Sequence, residues 1–380
     1  MSAFMRKYDF KQLFEGTREI LRRGFLCNLK ATDISSADSS FQHEKMISEV
    51  LAEYRYPQTL HFCHYHFTGS FRQSTIRQIK KKLGAELSSG VALLSSATLS
   101  LNTSFVFLQK RKVKKMAIIS PHYFISSDIC HALGIRYSII PAKKRSDIPF
   151  IPVETIMQGG FDAVLITSPL YGTSKYYSDD IVDDIKLLQS EKKYIVFDET
   201  MAIKGHELLR TTALNDYSLF IFSPHKSLGI NSFKFSAIIS SKNNESALRE
   251  CVETYAGGLN QTSVLAIGHY LSSNFNRCQE LHLKTVKNNY KTLIDSLPLW
   301  ERQFVSFDGL GHYASVLPGS DFPGNTSYFS ALESSIAEHR IAFMPPWPLW
   351  DNGFRINMTY PQNELAKAIN CIVRNFGIKR

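Results

Sequence analysis

The sequence has few cysteines and no long apolar run. Its six cysteines stand singly among 380 residues, and no CxxC pair occurs, so neither a zinc site nor a disulfide framework is predicted. No apolar run approaches the roughly 18–20 residues that a membrane-spanning helix needs. The first residues lack the apolar core of a signal peptide. We therefore expect reduced thiols, no metal, no membrane association and a cytoplasmic location.

Charge of one sign is in excess. The chain carries 44 Lys and Arg against 34 Asp and Glu, a formal net charge of +10. Such a balance fits either nucleic-acid binding or a basic surface with an anion-binding pocket. The densest runs are Lys80-Lys81-Lys82, Lys110-Arg111-Lys112 and Lys143-Lys144-Arg145. They lack interleaved aromatic residues, which favours a solvated face and no nucleic-acid partner.

Short apolar segments recur through the middle of the chain, each about as long as one strand. Their continuous apolar character predicts a parallel sheet that is covered on both faces. Helical patterns between them, such as residues 98–109 and 123–133, indicate a doubly wound α/β fold with a mostly parallel seven-stranded sheet. The predicted strands are Val91–Leu94, Met116–Ile119, Tyr137–Ile140, Ala163–Ile166, Tyr194–Phe197, Ser218–Phe222 and Phe235–Ile239.

The length of the chain predicts two domains. Residues 297–380 differ in pattern, with short predicted strands, a predicted helix near 327–339 and a proline-rich turn at 345–348. We expect an N-terminal arm over residues 1–45, a large domain over 46–275 and a smaller α+β domain over 276–380.

Two predicted strands are each followed by a charged side chain, one basic and one acidic. The strand Ser218–Phe222 leads into Ser223-Pro224-His225-Lys226, which would place an amine at the floor of a cleft. Desolvation and nearby positive charge there favour the neutral, nucleophilic form of a lysine. The strand Tyr194–Phe197 leads directly to the carboxylate of Asp198. A surface lysine and a strand-end aspartate are the simpler alternatives.

This pairing resembles the centre of the fold type I pyridoxal-phosphate (PLP) enzymes, the class I/II aminotransferase family. PLP needs a lysine for its aldehyde, a carboxylate for its pyridine nitrogen, donors and a cation for its phosphate, and an aromatic group over its ring. The resemblance implies that Lys226 forms a Schiff base with pyridoxal 5'-phosphate and that Asp198 binds the pyridine nitrogen. Ser223 matches a phosphate-binding hydroxyl of the family, and Lys234 stands where the family has a phosphate-binding arginine.

Two further segments match the family in order along the chain. Ser96-Ala97-Thr98 follows the first predicted strand and resembles the first phosphate-binding loop, although Ser96 replaces the usual glycine. Backbone N–H groups at a helix N-terminus bind phosphate well. Tyr123 matches the aromatic residue that stacks on the cofactor ring. An ordinary helix cap and a core tyrosine are the alternatives here.

Both usual donors to the phenolate oxygen of PLP are changed in this chain. The family has a tyrosine at the position of Met201 and an asparagine at that of Tyr171, so Tyr171 is expected to do the work of both. Because these donors tune the pKa of the Schiff base, two hypotheses stay open. One is an aminotransferase acting on an amino acid; the other is elimination, substitution, cyclisation, decarboxylation or oxidation on the same fold.

The C-terminal region contributes one more predicted site residue. Arg355 resembles the arginine that binds the substrate carboxylate in a bidentate pair; a surface arginine on an edge strand is the alternative. The resemblance also implies a homodimer and an N-terminal arm that packs with the small domain. The histidines His61, His64 and His66 cluster within six residues, but no carboxylate or cysteine pattern completes a metal site.

Overall fold

The computed structural model describes residues 15–21, 32–33, 45, 49, 70–84, 89–145, 148–173, 175–202, 207–227, 234–302, 305–307, 313–316, 325–344 and 354–376. The three histidines at 61, 64 and 66 and the proline-rich turn at 345–348 lie outside these ranges. The chain divides into two compact units, a larger one (Glu44–Tyr171 and Lys175–Leu281) and a smaller one (Met1–His43, Gly172–Ser174 and His282–Arg380). The boundaries expected from the sequence lie after residues 45 and 275.

A seven-stranded sheet forms the centre of the larger unit. In chain order its strands are β1 (Gly90–Leu94), β2 (Lys115–Ser120), β3 (Arg136–Pro141), β4 (Ala163–Thr167), β5 (Tyr194–Asp198), β6 (Ser218–Phe222) and β7 (Ser236–Ser240). Their order across the sheet is β1-β7-β6-β5-β4-β2-β3; β7 runs antiparallel to both of its neighbours, and the other pairs are parallel. Every residue of β1, β4, β6 and β7 is buried, which explains their unbroken apolar character. The predicted α/β fold class is confirmed.

Helices cover both faces of this sheet. Alternate strand residues point to opposite faces, so Phe197 joins one core layer and Val196 the other. Up to residue 269, the described helices are α1 (Ser70–Leu83), α2 (Ala97–Lys110), α3 (Ile125–Ala132), α4 (Val153–Gln158), α5 (Ile181–Ser190), α6 (Glu207–Thr211), α7 (Pro224–Ser227), α8 (Glu245–Tyr255) and α9 (Gln261–His269). The helices α1 and α5 pack on the Phe197 face, while α2 and α8 pack on the Val196 face.

The described part of the larger unit also contains three short elements. A hairpin pairs Lys143–Arg145 with Ile148–Phe150, and a 3-10 turn covers Lys242–Asn244. After α9 the chain forms one π-helical turn, Tyr270–Asn274, before the long helix Phe275–Ser296. The sequence pattern predicts a mostly helical stretch here, and the π turn lies within it.

The smaller unit has its own core. A three-stranded antiparallel sheet joins Val305–Ser306, Tyr313–Val316 and Phe354–Asn357. The helices Leu299–Arg302, Asn325–His339 and Gln362–Phe376 belong to the same unit. N-terminal residues pack into it, because Thr32–Asp33 pairs in parallel with Ile341–Ala342, and the Thr17 hydroxyl lies 3.0 Å from that of Tyr328.

The described cysteines Cys130, Cys251, Cys278 and Cys371 are buried free thiols. Burial raises the pKa of the Cys130 thiol to about 12, so it stays protonated at neutral pH. Within the residues that the structure describes, no cluster of three or more His, Cys, Asp or Glu side chains could hold a metal ion. In the same residues, no helix has both the length and the apolar character needed to cross a bilayer.

Candidate active site

A cavity of about 170 Å³ opens where the strands of the large sheet end. Strands β1, β2, β4, β5 and β6 share one direction, so their carboxyl ends meet at one edge. Strand β7 runs the other way, and its N-terminal flank therefore reaches the same edge. This is where α/β sheets bind ligands. The lining residues are Ser96, Ala97, Thr98, Leu101, Tyr123, Thr167, Tyr171, Asp198, Thr200, Met201, His225 and Lys234.

Most of the site residues predicted from the sequence lie around this cavity. Those that line it are Ser96, Ala97, Thr98, Tyr123, Tyr171, Asp198 and Lys234. They lie at or just after the carboxyl ends of β1, β2, β4 and β5 or, for Lys234, before the antiparallel β7. The topology of the sheet therefore gathers residues that are up to 138 positions apart in the chain.

Asp198, the last residue of β5, is only 5% exposed. Its Oδ1 accepts hydrogen bonds from the backbone N–H of Thr200 at 3.1 Å and from the Thr200 hydroxyl at 2.5 Å. These two bonds fix one carboxylate oxygen, since both donors lie on the turn that follows the strand. The cavity thus contains a buried carboxylate with a defined orientation.

Thr167 is a cavity residue that the sequence analysis missed. It is the register partner of Asp198 on the neighbouring strand, and partnered residues of parallel strands point to the same face. It is 2% exposed, and its hydroxyl has no hydrogen-bond partner in the described part of the chain. Buried hydroxyls are normally paired, so this one is suited to a ligand. Its position beside Asp198 arises from the register of β4 and β5, so no local sequence signal could have revealed it.

The first turn of α2 supplies an anion-binding end to the cavity. Ser96 caps the helix, and its Oγ accepts a hydrogen bond from the Leu99 N–H at 3.2 Å. The backbone of Ser96 is extended, with φ of −162°, so this position needs no glycine. The other N–H groups of this turn and the helix dipole favour an anion. The exposed Lys234 adds a positive charge to the same cavity.

Two tyrosines form an aromatic wall. The ring centroids of Tyr123 and Tyr171 lie 5.4 Å apart with an interplanar angle of 43°. The backbone N–H of Tyr171 donates to the carbonyl of Pro121 at 3.3 Å. This bond ties the loop after β4 to the turn after β2, which is why two residues from separate loops share one side of the cavity. Met201 also lines the cavity and supplies no hydrogen-bond donor.

The remaining predicted residues are placed differently. Ser223 is fully buried, and its hydroxyl donates to the Phe235 carbonyl at 2.9 Å; it is not among the residues that line the cavity. Lys226 lies in the short helix α7, immediately after β6, and its side chain lies outside the described part of the structure. Arg355 belongs to the smaller unit, where its guanidinium carbon stacks 4.6 Å from the ring centroid of Tyr313.

A larger cavity, about 550 Å³, lies beside the hairpin at 143–150 and the start of α5. Its acidic lining residues include Asp183 and Asp184, in the first turn of that helix, where the dipole favours negative charge. Asp183 is paired with Lys186 at 3.0 Å. Size alone therefore does not identify the site; the smaller cavity holds the buried carboxylate, the helix N-terminus and the aromatic wall.

No protein-family model and no curated protein sequence matches the chain. Solved structures do match its fold. They include the PLP-bound C-S lyase from Staphylococcus hominis (16% identity, 91% of this chain and 92% of that one, TM-score 0.72) and aspartate aminotransferase from Thermotoga maritima (16% identity, 98% of both chains, TM-score 0.72). Kynurenine aminotransferase from Pyrococcus horikoshii is also similar (13% identity, 94% of both chains, TM-score 0.72).

The chain has the fold of type I PLP-dependent enzymes. The resemblance expected from the residues is confirmed at this level. At 12–16% identity the similarity concerns the backbone, and the roles of individual side chains rest on the site itself.

Proposed function

We propose that the protein is a PLP-dependent transferase of aminotransferase type that acts on an amino acid. One observation carries this proposal: a single cavity at the strand ends of a type I fold unites Asp198, the α2 N-terminus and two tyrosines. These are the groups that a pyridine ring with a phosphate and a phenol oxygen requires.

The chemical character of the cavity fits the cofactor at each end. The α2 N-terminus and Lys234 suit the phosphate. Asp198 suits the pyridine nitrogen, because a fixed buried carboxylate keeps that nitrogen protonated. The unpartnered hydroxyl of Thr167 leaves a polar contact for a ligand within the same cavity.

The roles of the residues follow from their chemistry. Bound PLP withdraws electrons from the α-carbon of an amino acid. The Lys226 amine would hold the cofactor and, when free, would move the proton at Cα of the substrate. Tyr123 would pack on the face of the ring, and Tyr171 would donate to the phenol oxygen. Arg355 would bind the substrate carboxylate, since a planar guanidinium matches it with two hydrogen bonds.

A second candidate function is a different reaction on the same cofactor, such as elimination or another of the non-transamination reactions. It is favoured by Met201, which cannot donate a hydrogen bond, and by Tyr171 in place of an asparagine. With one donor fewer, the pKa of the nitrogen that would join the cofactor to lysine changes. The protonation state of that nitrogen influences which reaction the bound amino acid undergoes.

One experiment separates the two functions. The purified protein is mixed with single amino acids without any keto acid, and the visible spectrum and products are followed. An aminotransferase converts its bound cofactor once, with keto acid formed in equal amount. Continued product formation without net change of the cofactor indicates the second function, and no PLP binding at all overturns both.

We also propose a homodimer and a cytoplasmic location. The support is the resemblance to the family and the singly placed cysteines. Light scattering of the purified protein gives its mass directly, and a monomer at working concentration would contradict the proposed homodimer.

A further inference from the structure

We propose that the Thr167 hydroxyl donates a hydrogen bond to the phenol oxygen of the cofactor. The inference rests on the proposed function and names a binding residue that the family resemblance does not imply. It gives the phenol oxygen a second donor besides Tyr171, whereas Met201, which also lines the cavity, offers none.

The first observation is that the Thr167 hydroxyl makes no hydrogen bond within the described part of the chain. The residue is 2% exposed, and its Oγ1 has no partner there. Other buried side chains share this property, but among the described residues Thr167 is the only one of them that also lines the cavity. An unpaired buried hydroxyl is destabilising, and a ligand that accepts its hydrogen would remove that cost.

The second observation is the position of Thr167 in the sheet. It is the register partner of Asp198, so the two residues lie side by side at the ends of β4 and β5 and point to the same face. Neighbouring strands are about 4.8 Å apart, which is close to the width of a substituted pyridine ring. A ring whose nitrogen contacts Asp198 therefore brings one of its substituted edges within reach of Thr167.

The third observation decides which edge of the ring faces Thr167. The proposed phosphate site, the α2 N-terminus and Lys234, lies beside β1 and β7. In the strand order β1-β7-β6-β5-β4-β2-β3, those strands are on one side of Asp198 and Thr167 is on the other. In PLP the phosphate arm and the phenol oxygen lie on opposite sides of the axis from the ring nitrogen to the aldehyde carbon. The phenol oxygen therefore belongs on the side of Thr167 and of Tyr171, which follows the same strand.

The chemistry of the two groups sets the direction of the bond. A ring whose nitrogen is kept protonated by Asp198 has an ionised phenol oxygen, which only accepts hydrogen bonds. The threonine hydroxyl has one hydrogen and therefore donates it. Bonds to charged oxygens are stronger than neutral ones. A confirmed contact would also remove the missing donor at Met201 as an argument for the second candidate function.

The test compares ligands with and without the phenol oxygen. Pyridoxamine 5'-phosphate and 3-deoxypyridoxamine 5'-phosphate have no aldehyde to react with a lysine, so their dissociation constants report contacts alone. Both constants are measured for the full-length, cofactor-free protein and for Thr167→Val, Thr167→Ser and Thr212→Val. In Thr167→Val we expect the preference for the ligand with the oxygen to fall about tenfold, the loss of one hydrogen bond to a charged oxygen.

The controls separate the hydroxyl from the shape of the side chain. Thr167→Ser keeps the hydroxyl and should keep most of the preference. Thr212→Val should keep all of it, since that hydroxyl is likewise buried without a partner among the described residues but does not line the cavity. Heat denaturation of the cofactor-free proteins is a second readout. Because the Thr167 hydroxyl has no internal bond to lose, Thr167→Val should unfold at a temperature no lower than the wild type does.

An unchanged preference in Thr167→Val overturns the inference, because the hydroxyl then serves water or the Asp198 carboxylate. An equal loss in Thr167→Ser overturns it too, since the shape of the side chain would then decide. If Thr167→Val binds neither ligand, Thr167→Ala takes its place, and loss of both ligands there as well contradicts the inference. Failure of the proposed function looks different: the wild-type protein itself would bind neither compound, and the inference would fall with it.

Discussion

Thr200 donates two hydrogen bonds to one oxygen of Asp198, from its backbone N–H at 3.1 Å and from its hydroxyl at 2.5 Å. Both residues are buried and both line the candidate active site. The contact sets the direction in which the Asp198 carboxylate faces the cavity. The two hydrogen bonds therefore join the turn after β5 to the carboxylate that we propose binds the cofactor.

Replacing Thr200 by valine tests this relationship. Thr200→Val keeps the backbone donor and removes the hydroxyl, and we expect a loss of about 1.5–3 kcal/mol in the free energy of unfolding, as for other hydrogen bonds to charged groups. Turnover should fall because the carboxylate loses its fixed direction. Thr212→Val is a matched control: its buried hydroxyl has no partner among the described residues, so its removal should cost little. Equal losses in both variants would refute the role assigned to Thr200.

Asp198→Asn tests the electrostatic role of the carboxylate. The amide is similar in shape but carries no charge, so it cannot keep a pyridine nitrogen protonated. We expect the variant to fold and to bind PLP while kcat falls about 100-fold or more, the scale seen when a key electrostatic contact is removed. Asp183→Asn, at an exposed position on α5, should leave kcat unchanged. Wild-type turnover in Asp198→Asn would exclude the proposed mechanism.

Tyr171→Phe tests the donor to the phenol oxygen. A hydrogen-bond donor would stabilise the phenol oxygen of the cofactor most when the nitrogen that joins the cofactor to lysine is unprotonated. The donor would therefore lower the pKa of that nitrogen. Without the Tyr171 hydroxyl, the pH at which the visible absorption band changes should therefore rise. Tyr123→Phe is the control, since a ring that packs on the cofactor face needs no hydroxyl. If Tyr171→Phe leaves that pH where it is, another residue supplies the donor.

The buried imidazole of His122 is expected to make the stability of the protein depend on pH. Burial lowers the pKa of its imidazole to about 4 in the folded protein, whereas the unfolded chain binds the proton near pH 6.5. The stability linked to this difference is fully present above about pH 6.5 and is lost as the pH falls through about 4. At its largest it is on the order of 3 kcal/mol.

Denaturant unfolding of His122→Gln at about pH 7 and about pH 5 checks this prediction. The variant should lose less free energy of unfolding between the two conditions than the wild type does. His131→Gln, on the exposed face of α3, should keep the wild-type dependence. The same pH dependence in His122→Gln and in the wild type would show that other groups cause the acid loss.

The strands of the large sheet could be predicted because burial on both faces leaves unbroken apolar runs. The prediction of Ala163–Ile166 differs from the observed β4 by one residue, and that residue, Thr167, proved to line the cavity. A threonine at a strand end has no pattern that distinguishes a ligand contact from a cap. Its significance depends on its register with Asp198, which is a long-range property of the fold.

The hydrogen bond that Ser223 makes could not be predicted from the sequence either. Spacing relative to Lys226 matches a phosphate-binding hydroxyl, yet the structure turns this hydroxyl to the Phe235 carbonyl. That contact arises because β7 lies antiparallel to β6, so the residue before one strand meets the residue after the other. Sequence spacing shows which residues reach the strand ends; hydrogen bonding between strands decides which of them face the ligand.

The most direct test of the account is the identity of the residue that carries the cofactor. The protein is incubated with PLP, reduced with borohydride, digested and analysed by mass spectrometry. We predict one phosphopyridoxyl group on the peptide that contains Lys226 and a Lys226→Ala variant without visible absorption or turnover. A modified lysine elsewhere, or a reducible chromophore that persists in Lys226→Ala, would contradict the central claim.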